Sequence, residues 1–257
     1  MRVITFNLRY DEPRDGRNAW PNRRPLVRET LAQLAPDVIG FQEVLPHQVT
    51  ALREDLTGYE GIGRSREADA SKGEAAPIFF RTDRWSLDDS GTFWLSETPD
   101  VPGSKSWDSS LPRVCTWARL VHRATGKGVY VFNVHLDHRG TTARAKGIEL
   151  VAERFAKRQH ASDSALLIGD FNDIPTGPAV TAAKSAGLVD CYAALGLKEQ
   201  GTFHNFTGTP TENRIDYVFA TPDIAPVRAE VLNTQREGLF LTDHFPVLMD
   251  CVLQKKE

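Results

Sequence analysis

Apolar residues along this chain gather into strand-length runs separated by polar breaks. Residues 3–8, 38–42, 78–81, 114–122, 129–135, 165–169, 215–220, 227–232 and 245–253 are rich in β-branched and aromatic residues and are predicted to be strands. RATGKG at 123–128 is a glycine-containing turn that joins two of them as a hairpin. Helical spacing appears at Val49, Leu52 and Leu56, which predicts a helix over 46–56. The stripe Ile148, Val151, Ala152 and Phe155 predicts the longest helix, over 142–159. Pro25 opens a predicted helix to residue 35, at a first-turn position where its missing N–H costs nothing. A short helix over 178–186 ends at Gly187. The stretch 94–113, rich in Pro and Ser, has no period and is expected to be a functional or mobile loop. Strands outnumber helices, and their irregular interleaving fits neither a barrel nor a Rossmann pattern. The expected architecture is α/β: two packed, mostly antiparallel sheets flanked by helices, as one domain over residues 1–257.

Polar clusters recur at the ends of these runs. FNLRYD (6–11), FQEV (41–44), NVHLDH (133–138) and GDFND (169–173) close a strand, whereas RIDYVF (214–219) and TDHFPV (242–247) open one. In an antiparallel sheet the end of one strand lies beside the start of its neighbour. All six clusters are therefore expected along one edge, in a single site holding Asn, Glu, two His and several Asp. That set suits a hard divalent cation and acid–base chemistry on a phosphate ester.

Charge narrows the substrate. Proteins that hold long nucleic acids rely on many Lys and Arg contacts to phosphate. A net charge of −3 and a pI near 6.2 favour a small phosphorylated substrate instead. The exception is local, where Arg9, Arg14, Arg17, Arg23, Arg24 and Arg28 gather. This segment reads equally as an anion-attracting lip or as a solvated face balanced by Asp11, Glu12, Asp15 and Glu29. No run approaches the roughly 18 apolar residues of a membrane span. The opening residues enter a strand pattern without the regions of a signal peptide, so a cytoplasmic location is expected. Cys115, Cys191 and Cys251 are widely spaced and odd in number, which fits reduced, buried thiols.

Each polar residue has a chemical role to offer. Glu43, directly after a strand, is placed as a metal ligand. Asp170 ends the apolar run LLIG, so partial desolvation would raise its pKa and make it a usable base. Asn172, two residues on, is placed to direct its amide at a phosphate oxygen. His135 would hydrogen-bond a phosphoryl oxygen or protonate the leaving oxygen, with Glu74 as its orienting carboxylate. Asp216 is expected to bond either His244, fixing its tautomer and stabilising its imidazolium, or its neighbour Arg214. Asn7 would align the attacking water or Asp170. Arg9, Trp94, Trp107 and Arg113 are candidate substrate-binding residues, the two indoles alternatively packing their loop onto the fold. Asp137 and His138 are expected in the turn after His135.

Taken in this order, the motifs resemble the endonuclease/exonuclease/phosphatase superfamily across Asn7 to His244. That resemblance implies a four-layer α/β sandwich and dependence on Mg²⁺ or Mn²⁺. It implies Glu43 as principal metal ligand with Asn7 beside it and Asp243 as the outer carboxylate. It further implies Asp170 with Asn172 as base and phosphate-binding pair, Asp216–His244 as a dyad, and His135 as a second catalytic histidine. Whether Asp170 or the dyad activates water stays open at this point, and Asp170 is favoured. GEAAPIFFR (73–81) is similar to the stretch carrying the orienting Glu in the deadenylase branch. NVHLDHRG, TFHNFTG and FWLSETPDVPGSKSW look closer to a bacterial subgroup of that branch, in whose neighbourhood a sugar-phosphate phosphatase is known. The first expectation is thus a phosphoester hydrolase acting on a sugar phosphate or nucleotide. The alternative is a 3′–5′ RNA exonuclease, with Trp20, Arg23 and Arg24 as stacking and phosphate-binding residues. A non-catalytic binding module is the third reading. The number of metals, mono- versus diesterase action and the oligomeric state are left open.

Overall fold

A computed structural model describes residues 1–254. The first half of the chain forms β1 (Arg2–Asn7), α1 (Trp20–Leu34), β2 (Val38–Gln42), α2 (Pro46–Asp55), β3 (Tyr59–Ile62), β4 (Ile78–Arg81) and β5 (Trp85–Trp94). There follow β6 (Val114–His122), β7 (Gly128–His135), α3 (Thr141–Ala156), β8 (Ser164–Asp170), α4 (Pro178–Ser185), β9 (Val189–Asp190) and α5 (Cys191–Ala194). The last part holds β10 (Asp216–Ala220), β11 (Ile224–Val231), a small hairpin of β12 (Gln235–Arg236) and β13 (Leu239–Phe240), and β14 (Val247–Leu253).

Two six-stranded sheets carry the fold, ordered β11-β14-β1-β2-β4-β3 and β5-β6-β7-β8-β10-β9. Each is antiparallel except for one central parallel pair, β1–β2 and β7–β8. Alternation along a strand then assigns the layers. Val3 joins Val38, Ile78 and Phe80 against Leu120, Val131, Leu166 and Ile168 in a core between the sheets. Its neighbour Ile4 faces the other way and packs with Phe6, Phe41 and Phe79 against Leu26, Leu31 and Leu52 of α1 and α2. Phe132, Val134 and Leu167 meet Ile148, Val151 and Val180 of α3 and α4 on the opposite surface. The result is the expected four-layer sandwich. β7 and β8 read as continuous apolar runs because both their faces are covered.

One polar link crosses the central core. Asn133 Nδ2 donates to the carbonyls of Phe41, Ala76 and Pro77, and its Oδ1 accepts from Gln42 Nε2 at 2.7 Å. Buried amides so fully satisfied fix the relative position of the two sheets. This clamp lies two residues before His135 and one before Glu43.

Several elements depart from the sequence pattern, among them the two-residue strands β9, β12 and β13 and the single turn α5, which no run in the sequence announces. The edge strands β3 and β5 were not predicted, because an edge strand needs only one buried face. β5 carries the exposed residues Asp88, Asp89 and Ser90 and pairs with β6 alone within its sheet. α1 begins at Trp20, five residues before Pro25, which therefore sits inside the helix and forfeits a bond to the carbonyl of Pro21. The gain that offsets this is Arg23, wholly buried, whose guanidinium donates to Asn18 O (2.6 Å), Leu8 O (2.8 Å) and Leu241 O (2.7 Å). Arg23→Ala should lower stability by about 3–5 kcal/mol in a denaturant titration, since three buried carbonyls lose their donor at once.

Candidate active site

Register at the sheet edge brings the site together. β8 lies between β7 and β10, with His135 opposite Asp170 across the parallel pair and Asp216 opposite Asp170 across the antiparallel one. Gly169 makes this close approach feasible: its φ is +145°, and a Cβ there would lie 2.0 Å from Val134 O. From the other sheet, β1 ends in Asn7, β2 runs into Glu43, and the segment entering β14 delivers Asp243 and His244. Asn7 Nδ2 spans the two sheets, donating to Glu43 Oε1 (3.2 Å) and to Asp170 Oδ2 (3.0 Å). Glu43 and Asn172 both adopt left-handed backbone, at φ +59° and +48°. Such strain in non-glycine residues collects at functional sites.

Two histidines flank Asp170 in opposite states. His244 Nδ1 donates to Asp216 Oδ2 at 2.9 Å, and both residues are buried. Burial opposes charge on the imidazole, but Asp216, Asp170 and Asp243 outweigh it and push its pKa up to about 10. His135 is held well below the usual histidine range by burial and by the cations of Arg113 and Arg66. Their Nε2 atoms lie 3.9 Å and 3.7 Å from Asp170 Oδ2. Asp170 itself is raised to about 6 by burial and by the neighbouring Asp216 charge. Arg214, the competing partner for Asp216, instead pairs with Asp190 and Glu199. One imidazolium, one neutral imidazole and a basic carboxylate thus converge on one point.

The first sheet's side of this edge concentrates acid. Burial, Glu74 and Asp243 together push Glu43 up to about 7. Arg9 offsets part of this charge, its Nη1 at 4.0 Å from Glu43 Oε2 and its Nε at 3.8 Å from Asp243 Oδ2. An all-oxygen set of Glu43, Asn7 and Asp243 carrying excess negative charge is what a hard divalent cation prefers. Asp170, Asp216 and His244 also offer donor atoms within 4.8 Å of one another. There, however, the ring nitrogen nearest Asp216 is already committed to it, and a protonated imidazole repels a cation.

Several predicted site residues take other partners or lie elsewhere. Glu74 does not orient His135, because Arg66 takes both its carboxylate oxygens at 2.7 and 2.9 Å. Trp94 is buried and spends its indole N–H on Arg66 O, so it packs its loop rather than lining a pocket. Trp107 lines a different groove, shared with α3. The loop at 94–113 is anchored: Asp108 accepts from Thr142 N and Ala143 N at the start of α3. Asp137 is a structural brace, accepting from Ser110, Leu111, Arg139 and Gly140, which holds it below the usual carboxylate range despite burial. Asn172 spends one amide hydrogen on Leu136 O (3.0 Å) while its backbone N–H holds Asp170 Oδ1 (2.8 Å). Arg9 is at the site but is bonded to Asp15. Arg113 does reach the pocket beside His135, with His138 at 3.1 Å and with its Nε and Nη1 lacking hydrogen-bond partners. Of the stacking and basic residues predicted for a nuclease groove, Trp20 and Arg23 are buried and Arg24 is paired with Asp55 and Glu54. Sequence reasoning missed Phe203, whose ring packs edge-on against His244 at 5.1 Å. The loop that carries it, TFHNFTG, has no periodicity to betray its position.

The family model for the endonuclease/exonuclease/phosphatase family matches residues 4–244. The chain belongs to this family. Among solved structures, the mannosyl-6-phosphatase of Bacteroides thetaiotaomicron VPI-5482 is 37% identical, covering 98% of this chain and 99% of that one, with a TM-score of 0.90. An uncharacterised protein of Acanthamoeba polyphaga mimivirus is 29% identical over 160 residues, or 60% of this chain. Nocturnin of Drosophila melanogaster is 25% identical over 279 residues, or 90% of this chain. The chain spans 59% and 42% of the lengths of these last two relatives. Family membership establishes a hydrolase fold of the nuclease and phosphatase type. No helix among the described residues is long and apolar enough to cross a membrane.

Proposed function

We propose that this protein is a divalent-metal-dependent phosphomonoesterase acting on a small phosphorylated sugar. The observation that carries the reaction is the convergence of Asp170, His135 and His244 described above. The substrate class is supported by 37% identity, over nearly the full length of both chains, to a mannosyl-6-phosphatase. It is supported too by the burial or pairing of the side chains that a nucleic-acid groove would need to expose.

In this reading the water oxygen bonds to phosphorus as the P–O bond to the sugar breaks; Asp170, held in place by Asn7 Nδ2 and Asn172 N, takes the water's proton, and the departing sugar alkoxide takes one from solvent. The raised pKa of Asp170 makes it a better base than a free carboxylate while leaving it ionised at neutral pH. The His244 imidazolium, steadied by Asp216, donates from Nε2 to a phosphoryl oxygen as charge builds there. Neutral His135 donates its Nε2 hydrogen to a second oxygen, and Arg113, ion-paired with Asp137 at 3.6 Å, brings a cation to the same side. Glu43, Asn7 and Asp243 would hold Mg²⁺ or Mn²⁺, which supplies Lewis-acid polarisation of the phosphate.

Phosphate release from mannose 6-phosphate, other hexose phosphates, nucleotides and oligo(A), with Mg²⁺ and with EDTA, tests the proposal. Metal-dependent release from a hexose phosphate, abolished by EDTA, is expected. Shortening of oligo(A) with no release from any sugar phosphate would overturn it in favour of the exonuclease.

A further inference from the structure

On the outer face of the second sheet, beside α3, an open groove of about 800 Å³ shares none of the active-site residues. Strand register builds its floor. Gly91, Trp117 and Phe132 stand opposite one another across β5, β6 and β7, and Tyr130 follows two residues before Phe132 on the same face. A Cβ at Gly91 would lie 2.8 Å from Trp117 Nε1, so the glycine lets the indole lie against the edge strand. The rings of Trp117, Tyr130 and Phe132 succeed one another at 6.2 Å, with interplanar angles of only 30° and 19°. Tyr130 and Phe132 form the buried inner end of this series. Trp117 is half-buried, as is Trp107 at the loop side of the groove. Neither of these two indole N–H groups donates to another group among the described residues.

The wall opposite is charged but compensated. Lys146 pairs with Glu149, Lys157 with Glu153, and Arg154 with Asp100, while Arg158 gives its guanidinium to the carbonyls of Phe155, Ala161 and Asp163 rather than to a carboxylate. A groove for a phosphate ester or a nucleic acid would leave cations unpaired toward its occupant. This one presents the half-buried indoles of Trp117 and Trp107 over a buried aromatic floor, their two N–H donors, and a rim on which Lys146, Arg154, Lys157 and Arg158 are balanced in charge by Asp89, Glu97, Glu149 and Glu153, within a volume typical of ligand sites. We infer that the groove binds a neutral, hydroxyl-rich chain: a stretch of unphosphorylated oligosaccharide. Its flat apolar ring faces would rest on Trp117 and Trp107, and its hydroxyls would meet the indole N–H groups and the rim.

Native gel electrophoresis of the full chain in gels cast with dephosphorylated mannan, laminarin, xylan or hydroxyethyl cellulose tests this. The readout requires no turnover, so it is independent of the catalytic reading. Retardation by at least one polysaccharide is expected, with apparent affinity reduced about tenfold or more in Trp117→Ala and in Trp107→Ala. Should Trp117→Ala fail to fold, Trp107→Ala, on a loop outside the sheet, carries the comparison, with its melting temperature as the control. Migration unaffected by all four polysaccharides, or retardation that persists unchanged in Trp107→Ala, would overturn the inference. Concentration-dependent association lost in Trp107→Ala, without retardation on any gel, would likewise overturn it and give the groove to a second copy of the chain.

Discussion

Asp170→Asn is expected to lower kcat by about 10³- to 10⁴-fold, the scale of a lost general base, while changing KM by no more than about threefold. The amide matches the carboxylate in size, and its one carbonyl oxygen keeps the bond from either Asn7 Nδ2 or Asn172 N, so the side chain stays near its place while proton acceptance is lost. Stability should respond to pH. Burial and Asp216 raise the folded-state pKa of Asp170 to about 6, above the ordinary carboxylate range. A raised carboxylate pKa costs stability once pH exceeds the folded value and costs nothing below the unfolded one. In metal-free protein the melting temperature of the Asn variant relative to wild type should therefore be higher at pH 8 than at pH 4, the bond lost to Asn7 or Asn172 lowering it by the same amount at both. A variant that lost activity and as much melting temperature at pH 8 as at pH 4 would instead mark Asp170 as structural.

Asp216→Asn is expected to cost about 10²- to 10⁴-fold in kcat/KM, because the proton on His244 depends on its partner. With Asp216 in place, its charge and those of Asp170 and Asp243 carry His244 to about 10 against the opposing effect of burial. Removing the Asp216 charge lets burial dominate, so the imidazole falls toward or below its ordinary value and is neutral at pH 8. The pH profile distinguishes this from simple misfolding. The alkaline limb of kcat/KM should shift to lower pH in Asp216→Asn, leaving residual activity greatest on the acidic side. A parallel loss at every pH would mean that Asp216 acts by holding shape alone. The pair also contributes to stability, and the sign follows from the raised histidine pKa. That contribution is complete below about pH 6.5, the ordinary histidine value, and is lost as pH rises through the folded one.

How much of this was legible in the chain depended on what each residue's position required. The ends of β1, β2, β7 and β8 and the starts of β10 and β14 could be read because apolar runs stop abruptly at polar clusters, and strand pairing then forces neighbours together. Asn7, Glu43, His135, Asp170, Asp216, Asp243 and His244 meet for that reason. Residues on loops were not readable in the same way. Glu74 precedes a strand and was expected at His135, but Arg66, eight residues earlier, captured it through a turn no pattern signals. Trp94 and Trp107 are indistinguishable as letters in one loop, yet one is buried beneath Arg66 and the other opens onto a separate groove. α1 was misplaced because Pro25 looked like a start signal. The deciding contacts, from Arg23 to the carbonyls of Leu8 and Leu241, are tertiary and leave no local trace.

The most direct test of the central claim is to let the Mg²⁺-loaded protein turn over mannose 6-phosphate in ¹⁸O-enriched water and weigh both products. Water attack at phosphorus, driven by Asp170, predicts one ¹⁸O atom in the released phosphate and none at the C6 oxygen of the sugar. Label in the C6 hydroxyl of the sugar, or no metal-dependent release at all, would contradict the account.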